Sequence, residues 1–455
     1  MRVDRAEVIA GAVPQSRQKA IREDNKLRPG DRAAHDWYRF VLSYPPHLVR
    51  DYLERFALGP DHRVLDPFCG TGTTLVECKK RGVPSIGIEA NPVMAFASRV
   101  KVDWGCDPIG LRSHAQIIGE LALAELQAQG IDDLSGLPLF SKRGTNGHNL
   151  QSLPPDMLKL LLKDSISPLP LHKSLVLLKT LDKYGDPKFD SHERLALAKA
   201  LVGEISNLEF GPEVGVGPTK ADAPVVSAWL GNVEAMADDL ARLAFKSEVP
   251  VQVHKADSRS LHSVVKPNSI DGVITSPPYP NEKDYTRTTR LESVLLGFVR
   301  DKPALRLLKA DLVRSNTRGV YKHDSDDSLV ADHAEIQRIA NAIEKRRIEM
   351  GKTSGFERLY ARVTKLYFGG MLRHLADLRS ALRPGALCAY VVGDQASYLR
   401  VMIRTGHLLA DIAGGLGYEV VGIDLFRTRL ATATGEQLRE EVVVLRWPGN
   451  KGRKG

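Results

Sequence analysis

The sequence predicts an α/β fold built on a doubly wound, largely parallel sheet of seven strands. Short apolar runs suit buried parallel strands, helical patterns alternate with them, and the spacing between them is uneven. The first five strands are expected at residues 62–66 (HRVLD), 84–89 (PSIGIE), 249–254, 270–275 (IDGVIT) and 386–392 (ALCAYVV), where each run ends at a polar residue, glycine or proline. Two further runs, 418–425 and 441–447, are expected to add an antiparallel edge pair.

Helical patterns cover residues 73–81, 93–100, 233–245 and 366–382. The chain runs 160 residues from Glu89 to Val249 and about 110 from Thr275 to Ala386, whereas a simple crossover needs roughly 25. Two large, mainly helical insertions are therefore predicted. We expect an N-terminal segment with the first half of the core at 1–105, an insertion at 106–228, the core continued at 229–280, a second insertion at 281–362, the core completed at 363–450 and a disordered tail at 451–455.

Composition restricts the class of protein. The 455 residues include 64 Lys and Arg against 55 Asp and Glu, and this charge of +9 favours a polyanionic partner such as nucleic acid. A hydrophobic content of 43% excludes a wholly disordered chain. No apolar run suits a membrane span or a signal peptide, so a cytoplasmic, nucleoid-associated location is expected. Four scattered cysteines without a CxxC pair indicate reduced thiols and no metal site.

The first functional motif, DPFCGTGTT at residues 66–74, joins a strand to a helix. Gly70 and Gly72 permit a tight turn that a ligand can approach closely, and the helix N-terminus offers unpaired N–H groups. Glu89 ends the next strand, 17 residues after Gly72, where its carboxylate can accept hydrogen bonds from ribose hydroxyls. Leu75 stands where a dinucleotide fingerprint has its third glycine. The motif therefore predicts a nucleoside site.

The second motif, TSPPY at residues 275–279, directly follows a buried strand. Pro277 and Pro278 fix the backbone and lack N–H groups, so the loop presents carbonyl oxygens and the Ser276 hydroxyl as acceptors beside Tyr279. Such acceptors can bind the two hydrogens of a nucleobase amine and free its lone pair for attack, while Tyr279 stacks on a base removed from the helix. Because both motifs follow parallel strands, we expect them at the same carboxyl edge of the sheet.

These two motifs together resemble those of the S-adenosylmethionine-dependent, amino-methylating DNA methyltransferases, which carry an FxGxG-type cofactor motif and a [D/N/S]PP[Y/F] catalytic motif. The resemblance implies a Rossmann-like methyltransferase sheet, S-adenosyl-L-methionine as cofactor and double-stranded DNA as substrate. It implies catalytic roles for Ser276, Pro277, Pro278 and Tyr279. It also implies cofactor contacts by Asp66, Phe68, Gly70, Gly72, Glu89 (ribose), Asp257 (adenine amine) and Tyr38. Tyr38 lies in a stretch, 35–46, that resembles the segment closing over the cofactor.

The sequence indicates the target base less directly than it indicates the cofactor and the reaction. Serine at the first position of the SPPY tetrapeptide resembles the cytosine-N4 branch of the family, whereas Asp or Asn is more usual in the adenine-N6 branch. An RNA amino-methyltransferase and a catalytically silent, cofactor-binding DNA-recognition protein stay open as alternatives. Cytosine-C5 methylation is disfavoured because it uses a cysteine nucleophile, typically in a Pro-Cys dipeptide, and the sequence has no such dipeptide.

DNA recognition is expected from one of the two insertions, and both are large enough. Arginines in the second insertion are the candidate DNA contacts: Arg287, Arg290, Arg314 and Arg318. The expected function is site-specific methylation of cytosine N4 in a restriction-modification setting, where a restriction endonuclease would act on the same DNA site without direct contact with this chain.

Overall fold

The computed structural model describes residues 27–40, 43–133, 149–210, 213–281, 283–430 and 437–449. The nine strands of this part of the chain are β1 (Val64–Asp66), β2 (Ser85–Ile88), β3 (Leu208–Phe210), β4 (Val214–Val216), β5 (Val251–His254), β6 (Ile270–Thr275), β7 (Leu382–Gly393), β8 (Glu419–Leu430) and β9 (Gln437–Arg446). Seven of them form one sheet, and β3 and β4 form a separate antiparallel hairpin in the first insertion. All seven predicted strands are present.

The seven-stranded sheet has the order β5-β2-β1-β6-β7-β9-β8. Its pairs from β5 to β7 are parallel, and β9 runs antiparallel to both β7 and β8. The α/β, doubly wound fold class and the antiparallel final pair are therefore confirmed. The strand β7 begins four residues earlier than predicted, because a register shift opposite Ile270 and Gly272 lets it continue past Pro384 and Gly385.

Helices lie before, between and after these strands. They are Arg32–His35, Pro46–Arg55, Thr73–Arg81, Pro92–Lys101, Pro108–Ala128, Pro155–Leu158, Pro168–Tyr184, Asp190–Ala200 (extended by a π-turn, Leu201–Ile205), Val225–Leu243, Tyr285–Thr288, Arg290–Leu295, Lys302–Ala310, Ala334–Glu349, Tyr360–Leu378 and Thr405–Gly415. The predicted helix at 73–81 is confirmed at both ends. The segment boundaries predicted after residues 228 and 362 lie within the helices Val225–Leu243 and Tyr360–Leu378.

The first insertion packs against one face of the sheet as part of a continuous hydrophobic core. Leu75 and Ala97 from the first half of the core share this cluster with Leu177 from the insertion and with Trp229 from the helix Val225–Leu243. The Trp229 indole is fully buried and donates a hydrogen bond to the Glu193 carbonyl at 2.8 Å. The opposite face carries a second core that is formed with the helix Tyr360–Leu378. The sheet is thus covered on both faces, which leaves its carboxyl edge open for a site.

Two further predictions concern the C-terminal tail and membrane-spanning segments. The expected disordered tail, 451–455, lies outside the described residues. No helix within the described ranges combines the length and the apolar character needed to cross a membrane.

Candidate active site

A cavity of about 340 Å³ opens at the carboxyl edge of the sheet, and both sequence motifs line it. The predicted site residues among its lining are Phe68, Gly70, Glu89, Ser276, Pro277, Pro278, Tyr279 and Arg314. The strand β1 leads into the first motif and the adjacent parallel strand β6 leads into the second. Since parallel neighbours end at the same edge, the sheet brings together residues that lie about 200 positions apart in the chain.

The glycines of the first motif serve two different purposes. Gly70 has a φ of +52° and lines the cavity, so its backbone can approach a ligand closely. Gly72 has a φ of +84°, and a Cβ there would lie 3.1 Å from Ser98 Oγ and 3.3 Å from Ser98 Cα. Gly72 is therefore required for the turn and for packing against the helix Pro92–Lys101, and it is not among the cavity-lining residues.

Glu89 is fixed at the cavity wall by main-chain donors. Its Oε2 accepts a hydrogen bond from Gly70 N at 2.9 Å, and its Oε1 accepts one from Asn91 N at 2.7 Å. Burial raises the pKa of Glu89 to about 7, although these hydrogen bonds oppose the rise. Each carboxylate oxygen has a further lone pair, so Glu89 can accept hydrogen bonds from the hydroxyls of a ribose.

Asp66 lies beneath the cavity and links the two motifs. It is fully buried, and its Oδ1 accepts hydrogen bonds from Thr275 Oγ1 at 2.6 Å and from Phe68 N at 3.1 Å. Burial raises the pKa of Asp66 to about 6, against the effect of these donors. Asp66 is not among the cavity-lining residues. Asp66 joins the turn of the first motif to the end of β6, and its predicted contact with the cofactor stays a prediction.

The stretch at 35–46 reaches the cavity through a different tyrosine from the one predicted. Tyr38 is buried away from the cavity, and its hydroxyl donates to Glu292 Oε1 at 2.5 Å. Tyr38 therefore lies away from the cavity lining, and its predicted cofactor contact gains no support from this position. Tyr44 lines the cavity instead, and its hydroxyl donates to Asp66 Oδ2 at 3.1 Å and contacts Thr74 Oγ1.

Phe68 forms an apolar part of the cavity wall and is supported by His374. The two rings meet edge to face with centroids 4.8 Å apart. His374 Nδ1 donates to the Ser258 carbonyl at 2.8 Å, and Nε2 accepts from the Tyr390 hydroxyl at 2.7 Å. Burial lowers the pKa of His374 to about 4, so this histidine is neutral at pH 7. Sequence reasoning missed His374 because a lone histidine in an amphipathic helix carries no signal.

Asp257 follows β5, as predicted, but its carboxylate faces an arginine. Arg259 contacts both carboxylate oxygens at 2.8 to 3.0 Å and also reaches Asp326 Oδ2 at 2.8 Å. The neighbours Ala256 and Ser258 line the cavity, whereas Asp257 is not among the lining residues. A contact between Asp257 and an adenine amine stays a prediction.

Ser276 is oriented by the neighbouring strand. Its hydroxyl donates to the main-chain carbonyl of Val391 on β7 at 3.1 Å. Because the hydroxyl proton is used in this way, the oxygen keeps its lone pairs for a donor in the cavity. Pro277 and Pro278 follow it in the cavity wall. The loop thus presents acceptors, which is the chemistry needed to bind an amino group.

Tyr279 packs its ring against the backbone of Gly393 at the end of β7. A Cβ on Gly393 would lie 3.2 Å from Tyr279 Cε2, so the ring uses the space that a glycine leaves. The main-chain N–H of Tyr279 donates to the Tyr285 hydroxyl at 3.4 Å. The ring is therefore held in a fixed place on the cavity wall, where it can stack on a planar base.

The four predicted DNA-contacting arginines have different surroundings. Arg314 is only 4% exposed and pairs with Asp324 at 2.8 Å, and Arg290 donates to the carbonyls of Thr286 and Leu160. These internal bonds engage both side chains, and Arg314 also lines the cavity, so DNA contacts by Arg290 and Arg314 stay predictions. Among the residues that the structure describes, none forms a hydrogen bond with the buried Nε of Arg287, and Arg318 is exposed above the ring of Phe356. DNA contacts by Arg287 and Arg318 stay predictions.

Sequence reasoning missed the wall of the cavity opposite the first motif. This wall contains Phe426, Arg427 and Arg429 from β8 and Glu440 from β9. Arg427 and Glu440 are direct cross-strand partners, with Arg427 Nε 2.5 Å from Glu440 Oε2. The two arginines are two residues apart, which places both on one face of β8. This alternation is visible in the sequence. The sequence does not show, however, that this face of β8 lines the same cavity as the catalytic loop.

The cavity suits S-adenosylmethionine. Gly70 permits close backbone approach, Glu89 offers acceptors to ribose hydroxyls, and Phe68 with Met94 offers apolar surface to the remainder. S-adenosylmethionine would supply an electrophilic methyl carbon when bound at this site. The residues that would hold the cofactor and the acceptors of the Ser276 loop line the same cavity.

Comparisons with known proteins agree with this site. A family described as DNA methylase matches residues 17–96, which include the first motif. The type II methyltransferase M.BsoBI of Geobacillus stearothermophilus is 25% identical over 448 residues, covering 91% of this chain and 84% of that protein. The type II methyltransferase M.AvaI of a Nostoc species is 22% identical over 465 residues, covering 95% of this chain and 89% of that protein.

Among solved structures, the rRNA methyltransferase aviRa from Streptomyces viridochromogenes aligns over 98% of this chain and 94% of that chain, with 11% identity and a TM-score of 0.31. That score is too low to bear on the fold or the substrate. The matched family, the two near-full-length relatives and the pair of motifs at one sheet edge together support an amino-methylating DNA methyltransferase.

Proposed function

We propose that this protein is a site-specific DNA methyltransferase that transfers a methyl group from S-adenosylmethionine to the exocyclic N4 amine of a cytosine rotated out of duplex DNA. The observation that carries the proposal is the orientation of Ser276. Its hydroxyl proton is directed to the Val391 carbonyl, so its oxygen is an acceptor toward the cavity beside the acceptors of the proline loop.

The proposed reaction follows from the needs of an aromatic amine. The lone pair of such an amine is conjugated into the ring, so the nitrogen is a poor nucleophile. Ser276 Oγ and the Pro277 carbonyl would each accept one amine hydrogen and draw the nitrogen toward a tetrahedral geometry. The nitrogen would then form a bond to the methyl carbon as the carbon–sulfur bond breaks, which leaves the cofactor as a neutral thioether, and the methylated amine would release one proton to solvent. Tyr279 would hold the base by stacking.

The choice of cytosine rests on the serine at the first position of the tetrapeptide, which resembles the N4 branch of the family. The alternative is methylation of adenine N6, for which the same acceptors would serve because both bases present an amine. DNA is favoured as the substrate by the net charge of +9 and by the relatives, whose names describe type II methyltransferases. We further propose that a restriction endonuclease of the same specificity accompanies the enzyme.

The residues proposed to act are those that line the cavity. Phe68, Gly70, Glu89 and Tyr44 are assigned to the cofactor, and Ser276, Pro277, Pro278 and Tyr279 to the base. Asp66 and Gly72 support the cofactor loop from beneath. The two insertions supply the surface that would recognise the DNA sequence.

The proposal is tested by incubating the purified protein with S-adenosylmethionine and unmethylated genomic DNA, digesting the DNA and identifying methylated nucleosides by mass spectrometry. We expect N4-methylcytosine, and mapping the modified sites would give the recognition sequence. N6-methyladenine would overturn the base assignment while keeping the mechanism. Absence of any methylated deoxynucleoside, with cofactor binding intact, would overturn the proposed function.

A further inference from the structure

The wall opposite the cofactor loop carries more positive than negative charge. We define the cationic wall as Lys283, Arg427 and Arg429, which line the cavity beside the carboxylate of Glu440. The other carboxylates of the lining are Glu89, Asp311 and Asp284, and Asp284 is paired with Lys309. Arg427 Nε lies 2.5 Å from one carboxylate oxygen of Glu440, and Arg429 Nε lies 3.4 Å from the other. Two guanidinium groups thus share one carboxylate.

Lys283 increases this imbalance. It follows the catalytic loop, and burial lowers the pKa of its ammonium group, with the charge of Arg429 lowering it further. Glu440 and the exposed Glu213 act in the opposite direction. Like charges gathered in a partly buried wall repel one another, and Glu440 offsets only part of this repulsion, so the wall favours a bound anion.

The position of the wall indicates which anion this is. Tyr279 packs on Gly393, and a Cβ on Gly393 would lie 3.2 Å from the Tyr279 ring and 3.3 Å from Glu440 Cγ. The stacking ring and the carboxylate that holds both arginines are therefore immediate neighbours. The side chains of Arg427 and Arg429 are 23% and 40% exposed, so their guanidinium groups can be reached from the cavity mouth.

We propose that Lys283, Arg427 and Arg429 bind a phosphodiester group directly adjacent to the nucleotide that is rotated into the cavity. This inference rests on the proposed function, because it requires a DNA substrate. A nucleotide that leaves the helix carries a phosphate on each side of its sugar, and a base stacked on Tyr279 brings one of them to the cavity mouth. Guanidinium groups suit this ligand because their planar forks match phosphate oxygens.

Glu440 acts as a positioning residue in this site. By binding Arg427 through Nε and Arg429 at longer range, it fixes both side chains in the wall before DNA arrives. Fixing them in advance lowers the entropy lost when the backbone is bound. The site thus holds the sugar–phosphate backbone of the extruded nucleotide while the catalytic loop binds its base.

The matched control is Arg446 on the same strand pair. Arg446 forms an ion pair with Glu419, its direct partner at the other end of β8 and β9, and its side chain is 40% exposed, as that of Arg429 is. Eight strand positions separate Arg427 from Glu419, a distance of roughly 26 Å at about 3.3 Å per residue. Arg446→Gln therefore removes an equivalent arginine far from the cavity.

The experiment measures DNA affinity by fluorescence anisotropy between 50 and 200 mM salt for the wild type, Arg429→Gln, Lys283→Gln and Arg446→Gln. The probe is a duplex with the mapped target site, in which the phosphate on either side of the target nucleotide is replaced in turn by a neutral methylphosphonate. We expect Arg429→Gln and Lys283→Gln each to reduce the magnitude of the slope of log affinity against log salt concentration by about 0.9. Between 50 and 200 mM salt, each variant would then lose roughly 3-fold less affinity than the wild type loses. Arg446→Gln should keep the wild-type slope.

The neutral linkage identifies the ligand. At one of the two positions it should weaken binding by the wild type and have little further effect on Arg429→Gln, because the variant has already lost that contact. Independent, multiplying effects at both positions would overturn the proposal. So would a variant that binds an abasic target as well as the wild type does but loses affinity for the intact base, because the wall would then contact the base.

Different results would contradict the proposed function and the proposed phosphate site. If the wild type forms no methylated deoxynucleoside and does not bind the duplex, the proposed function is wrong. If the wild type methylates DNA while Arg429→Gln and Lys283→Gln keep its salt slope, only the phosphate site is wrong. An unchanged cofactor affinity and melting temperature of both variants would show that each is folded.

Discussion

Ser276 and Val391 stand on neighbouring parts of the sheet, and the hydroxyl of Ser276 donates a hydrogen bond of 3.1 Å to the main-chain carbonyl of Val391. A carbonyl can only accept, so this contact fixes the direction of the serine proton. The serine oxygen is consequently an acceptor toward the cavity. This contact joins the loop that follows β6 to strand β7. Because of it, a hydroxyl that could either donate or accept is left as an acceptor toward the cavity.

Replacing Ser276 by alanine should slow methyl transfer with little effect on cofactor affinity. The variant loses one of two proposed acceptors for the amine, and removing one such preorganised group typically costs about 100-fold in rate. Single-turnover methylation of the mapped site, compared with the affinity for S-adenosylmethionine, would separate the two effects. Ser276→Thr keeps a hydroxyl and should retain part of the rate. Equal turnover by the wild type and Ser276→Ala would remove the proposed role.

Tyr279 should act through its ring and not through its hydroxyl. Tyr279→Phe keeps the stacking surface and should retain most activity, whereas Tyr279→Ala should lose about 1 to 3 kcal/mol of binding to the extruded base. The measurement is the affinity for duplexes with an intact and with an abasic target. The alanine variant should lose the preference for the intact base, and a preference equal to that of the wild type would contradict stacking.

Cofactor affinity should depend on pH through Glu89. Burial raises the pKa of Glu89 to about 7 in the free protein, and ribose hydroxyls donate best to its charged form. Below pH 7 the carboxyl is protonated, so the affinity for S-adenosylmethionine should fall as the pH drops from 8 to 6. Titration calorimetry across this range would detect the change. Glu89→Gln should bind more weakly by about tenfold and lose the pH dependence, and an unaltered pH profile in this variant would exclude Glu89 as its source.

The two tyrosines of the N-terminal stretch should separate cofactor binding from stability. Tyr44→Phe removes the donor to Asp66 at the cavity and should weaken S-adenosylmethionine binding. Tyr38→Phe leaves Glu292 buried without its donor and should lower the free energy of unfolding by about 1.5 to 3 kcal/mol. Calorimetry and urea denaturation of both variants provide the test. A loss of cofactor affinity in Tyr38→Phe equal to that in Tyr44→Phe would contradict the assignment.

The fold and the two motifs were predictable because they depend on local patterns. Buried parallel strands leave short apolar runs, so all seven strands of the sheet could be placed, and strand direction alone put Phe68, Glu89 and Ser276 at one edge. Strand and helix ends were less exact where packing overrides local signals. The strand β7 passes through Pro384 and Gly385 because its neighbour β6 allows a register shift there.

The sequence by itself therefore determined the fold class, the order of the motifs and the chemistry of the SPPY loop. Only the tertiary structure decided which side chains complete the site. It places Tyr44 rather than Tyr38 in the cavity lining and pairs Arg314 with Asp324. It also brings Arg427, Arg429 and Glu440 to a loop that lies about 150 residues earlier in the chain. The physical reason is that the direction and partner of a side chain are set by packing between distant segments, whereas periodicity records only the face on which it lies.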